Sequence, residues 1–134
     1  MTVRIEEAAR NAGLDATLDR VDIGGAGTIK IYTGNQPSTA NTAPTGTLLA
    51  TLPLNLPGFT PATGGQKAVN LATTVQANAV TNGTAGWARV SSGSGIAVFD
   101  GTVTTVGGDF TINTTALING QAVVLLGGTI TDPV

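Results

Sequence analysis

The sequence predicts a mainly β chain: an antiparallel, jelly-roll-like β-sandwich of about eight strands, with one N-terminal α-helix. Three observations point there. Charged residues make up only 10% of the 134 residues, against about 25% in an ordinary soluble domain. Their place is taken by 23 threonines and 19 glycines, which suit pleated strands joined by tight turns. Finally, stretches of period-two alternation recur at roughly 8–12-residue spacing, each bounded by Gly, Pro, Asn or Asp.

The helix comes first. Eight of the fourteen charged residues fall within residues 1–22: Arg4, Glu6, Glu7, Arg10, Asp15, Asp19, Arg20 and Asp22. This segment reads as a helix from Val3 to Val21, with Thr2 as N-cap, ended by Gly24, Gly25 and Gly27. On a 3.6-residue wheel it carries two apolar stripes, Ile5, Ala8, Ala9, Ala12 and Ala16 on one side and Val3, Leu14, Leu18 and Val21 nearly opposite. A helix lying on its own domain needs one stripe. Either the alanines are helix formers on a solvated face, or one stripe packs at home and the other on a neighbouring subunit. Residues 1–22 are thus an interface arm and 23–134 the β domain, and removing residues 1–20 is expected to leave that domain folded.

The strands follow in order. TIKIYT, Thr28 to Thr33, alternates most clearly, with Ile29 and Ile31 opposed to Lys30 and Tyr32. Thr47 to Leu52 comes after a Pro-, Asn- and Thr-rich loop. A second loop, Pro53 to Gly65, is stiffened by Pro53, Pro57 and Pro61. Further strands are expected at 67–72, 74–80, 85–90, 96–99, 102–106, 109–113 and 121–131. Ser92-Gly93-Ser94-Gly95 should reverse the chain. Asp100-Gly101 signals a two-residue hairpin, unless the strand runs through it with a bulge.

The residues bearing chemistry are sparse. There is no cysteine and no histidine, so disulfides, thiolate metal sites and the usual neutral-pH general base are excluded. Asp15, Asp19 and Asp22 fit a solvated helix face better than an acid–base pair, and Asp100 and Asp109 sit beside turn glycines. Gly24-Gly25-Ala26-Gly27 precedes a strand, so it is no phosphate cradle. No enzyme, cofactor or metal is expected. A net charge of −2 gives no reason to expect nucleic acid or an anionic membrane as partner. Met1 to Arg10 holds four charges and no apolar stretch, so synthesis and assembly in the cytoplasm are expected.

Trp87 is the only tryptophan. It reads either as a plug between the sheets or as an interface anchor, and Arg89, two residues on, shares its face in a regular strand. Together with the helix and the Pro-rich loop, this makes Ile5, Ala9, Ala12, Ala16, Leu14, Leu18, Pro57, Phe59, Trp87 and Arg89 the candidate protein-interface residues.

The order of segments carries a resemblance. A charged helix, MTVRIEEAARNAGLDATLDR, is followed by GTIKIYTGNQP, GTLLATLPL, GTAGWARV and IAVFDGTV, and then by a Gly-bounded last strand. The chain resembles small virion structural proteins of tailed bacteriophages, most of all the jelly-roll capsid cement or decoration proteins. The likeness spans nearly the whole chain, but it is a pattern of common residues and supplies no motif residue with a defined role. It implies a protein on the capsid exterior that binds the major capsid protein, and itself as a homodimer or homotrimer, and stabilises the shell. Two other readings stand beside it: a tail or baseplate component, and a carbohydrate-binding module stacking sugars on Trp87 and Tyr32.

Overall fold

The computed structural model describes residues 6–64 and 66–131. Its elements are α1 (Glu7–Leu18), a 3-10 turn η1 (Asp19–Asp22), and strands β1 (Thr28–Thr33), β2 (Leu48–Pro53), β3 (Gln66–Ala68), β4 (Gln76–Asn78), β5 (Gly83–Ser91), β6 (Ala97–Thr104), β7 (Phe110–Ile112), β8 (Ala116–Leu117) and β9 (Ala122–Thr131). The expected N-cap Thr2, and Val3 and Ile5, lie outside the described residues. The helix turns 3-10 at Asp19, short of the expected end at Val21. None of the described helices is long and apolar enough to cross a membrane.

The chain is mainly β with one helix, as its composition predicts, but the strands form a curled, mixed sheet rather than a demonstrated antiparallel sandwich. The hydrogen-bonded order is β2-β1-β5-β6-β7-β9-β3, with β4 also on β9 and β8 on β5. Val80 N–H donates to Leu49 O (2.8 Å), which ties the chain after β4 to β2 and brings the sheet back upon itself. Among the described residues the one parallel pair is β6–β7. Its cause is local. Asp109 Oδ2 accepts from the Thr102 amide (3.0 Å) and hydroxyl (3.2 Å), and Gly108 N–H donates to Thr104 Oγ1 (2.8 Å). These bonds fold the short segment 105–109 back along β6, so that β7 sets out in the same direction.

The core is built from the predicted alternation. Ile29 and Ile31 of β1 point inward and join Leu49 and Leu52 of β2, Val90 of β5, Phe110 and Ile112 of β7, and Val123 and Leu125 of β9. Leu14, Leu18 and Val21 enter the same cluster from the helical segment. Burying each such side chain contributes about 1.5–3 kcal/mol. β1 and β5 meet across a register shift between Tyr32 and Thr33. Gly86 is required there, because a Cβ at that position would collide with the Gly34 carbonyl oxygen. The predicted turn at 92–95 is present: Gly95, at φ 88°, donates its N–H to Ser92 O (2.9 Å).

Asp100-Gly101 is not a hairpin. β6 runs through it in continuous register with β5, Arg89 opposite Asp100 and Ala88 opposite Gly101.

Candidate protein-binding surface

The helix is fastened to the Pro-rich loop by its acids. Asp15 Oδ1 accepts from Lys67 Nζ (2.6 Å) and from Ala62 N–H (3.0 Å). Asp19 Oδ1 accepts from the same Nζ (3.0 Å), and Asp22 Oδ1 from Gly58 N–H (2.8 Å). The expectation of a merely solvated acidic face is corrected here: three aspartates spaced along α1 and η1 each reach the segment between Gly58 and Lys67. The Lys67 side chain is 2% exposed, a position a lysine holds only when paired. Asp15, Asp19, Pro57, Phe59, Pro61 and Lys67 line an open recess above this cluster.

The charges are mutually tuned. The Lys67 hydrogen bond, and then that of the Ala62 amide, hold the Asp15 carboxyl below its ordinary 3.8. Burial pulls Lys67 down, but hydrogen bonds to Asp15 and Asp19 outweigh it and leave the ammonium above its ordinary 10.5. The lowered Asp15 value adds stability that is present above pH 3.8 and lost as pH falls through the folded value. The raised Lys67 value adds stability that is present below pH 10.5 and lost as pH rises through the folded value. Thermal melts across pH should therefore show wild type losing stability relative to Lys67→Met as pH falls below 3.8, and again as it rises above 10.5. A difference independent of pH would contradict this linkage.

The predicted interface residues divide by burial. Leu14, Leu18, Phe59, Trp87 and Arg89 are buried within the chain, so the fold itself uses these side chains. Ala9, Ala12 and Ala16 are exposed, together with Ala8, and so is Pro57. Ile5 lies outside the described residues. The two stripes of the helix are thus separated: the leucine stripe faces the core and the alanine stripe faces out.

Trp87 and Arg89 belong to a second layer, on the face of β5 opposite Ala88 and Val90. Tyr32 stacks on Trp87 with ring centroids 4.7 Å apart and planes at 15°, and the Arg89 guanidinium lies 5.5 Å from the Trp87 ring centre. Arg89 Nε and Nη2 donate to Asp100 Oδ1 (2.7 Å) and Oδ2 (3.0 Å). This fork holds the guanidinium pKa above its ordinary value, against the pull of burial. Burial also raises Tyr32. The Trp87 indole N–H finds no acceptor. With both rings buried, neither offers an open face on which a sugar could stack, and this layer is internal structure.

Comparison with protein-family models, curated proteins and solved structures finds no match. The outward surface must therefore be read from its own chemistry. Among the described residues no three acidic side chains gather as a metal site would require. Large apolar side chains do stand in solvent: Ile23, Leu56, Leu71, Val80, Ile96, Val106, Ile118 and Leu126. The sequence reading passed over these, because several sit at turns, where periodicity says nothing of exposure.

Proposed function

We propose that this protein is a capsid cement protein of a tailed bacteriophage, binding the major capsid protein and stabilising the shell. The observation that carries the reading is the orientation of α1. Its leucine stripe and Asp15, with Asp19 and Asp22 of η1, hold it to the β domain, while Ala8, Ala9, Ala12 and Ala16 form an outward face. Small side chains let a second surface approach closely, and a pre-ordered helix loses little further entropy on binding. Low charge and exposed aliphatic side chains suit contacts with several protein neighbours. A protein that binds only the assembled shell stabilises that shell by mass action.

The test is a pair of substitutions on the outward face. Ala9→Glu with Ala12→Glu should leave the melting temperature within a few degrees of wild type, since both positions are exposed. Binding to capsid shells should fall at least tenfold. Undiminished binding by the folded variant would remove the helix from the interface.

A further inference from the structure

The surface carries a notch and a knob at opposite ends of one strand. The notch lies where η1 meets the turn between β5 and β6. Arg20, Ile23, Ser92, Ser94, Ile96 and Val98 line a recess of about 80 Å³, flanked by Ile23 and Ile96 at 54% and 61% exposure. Its walls are pinned: Ser94 N–H donates to Ile23 O (3.1 Å), and Ile96 N–H donates to Ser92 Oγ (3.1 Å). The knob is Val106, 85% exposed, the most exposed of the large apolar side chains described. Thr104 Oγ1 fastens its loop, donating to Val106 O (3.0 Å) and accepting from Gly108 N–H (2.8 Å).

Notch and knob carry opposite exposed charges. Arg20 is exposed and forms no ion pair among the described residues. Asp109 follows shortly after Val106 and is exposed, with Oδ2 engaged by Thr102. β6 runs from Val98 at the notch to Thr104 beside the knob, a span of roughly 20 Å at the usual strand rise. The knob therefore cannot fill the notch of its own chain.

We propose that Val106 of one copy seats in the Arg20–Ile96 notch of a second copy, with Asp109 facing Arg20. Knob and notch are different patches, so the contact is head-to-tail and either closes a ring or continues as a filament. The proposal stands independently of the capsid reading.

Sedimentation velocity over a concentration series tests it. Wild type should self-associate, and Val106→Asp and Ile96→Asp should each weaken association at least tenfold with unchanged circular dichroism and melting temperature. Arg20→Glu, which sets two carboxylates face to face, should weaken it as well. Mixing is decisive: V106D keeps a notch and I96D keeps a knob, so together they should form a heterodimer that grows no further. A wild-type chain that stays monomeric up to millimolar concentration would overturn the proposal. So would a variant that associates like wild type, or a mixture that yields no heterodimer.

Discussion

Asp100→Ala should cost about 3–5 kcal/mol of folding stability, because it leaves a buried charge without its partner. The Arg89 and Asp100 side chains are 7% and 4% exposed and are joined by a two-pronged hydrogen bond. Without the carboxylate, the guanidinium stays against the Trp87 ring with Lys30 opposite it on β1. Ring contact and residual solvent offset little of that loss, since cation–π attraction contributes only about 0.5–2 kcal/mol. Urea titration of wild type and variant gives the difference. The double replacement Arg89→Met, Asp100→Leu should recover most of it, because apolar pairs of similar volume replace buried ion pairs at little cost. A single variant within about 1 kcal/mol of wild type, below the range for a broken buried pair, would mean that the pair is solvated in solution.

Leu18→Ala should cost about 2–5 kcal/mol, the range for emptying a packed core site. Leu18 lies with Leu14 and Val21 in one cluster with Ile29, Leu52 and Phe110, so the cavity would open in the main core rather than beneath a detachable arm. For the same reason, deletion of residues 1–20 is expected to unfold the chain. It would remove Leu14 and Leu18 and strip both carboxylates from the buried Lys67 ammonium. A folded truncated chain, showing native near-ultraviolet dichroism, would restore the reading of the helix as an independent arm.

How much of this was legible in the sequence depended on whether the signal was local. TIKIYT is a strand with Ile29 and Ile31 inward, because strict alternation leaves one face to bury. The Ser92–Gly95 reversal was equally readable, since Gly95 supplies a positive φ that other residues resist. β8, only Ala116–Leu117, is too short to alternate. Asp100-Gly101 carried a turn signal that pairing overruled, because Arg89 stands opposite Asp100 in register. Arg89 and Trp87 were correctly placed on one face by their spacing, yet spacing could not reveal the carboxylate across the sheet. The helix acids were misread in the same way. Their cation, Lys67, lies about fifty residues further along the chain, beyond any local pattern. The outward alanine face was visible on the helical wheel, but only packing decided which stripe turned in.

The central claim is that this chain binds an assembled protein shell, and the most direct measurement is co-sedimentation of the wild-type protein with empty capsid shells over a range of concentrations. The account predicts saturation at a fixed number of copies per shell subunit, with shells that withstand heating better once saturated. Protein that remains in the supernatant at every concentration, leaving the thermal stability of the shells unchanged, would contradict it.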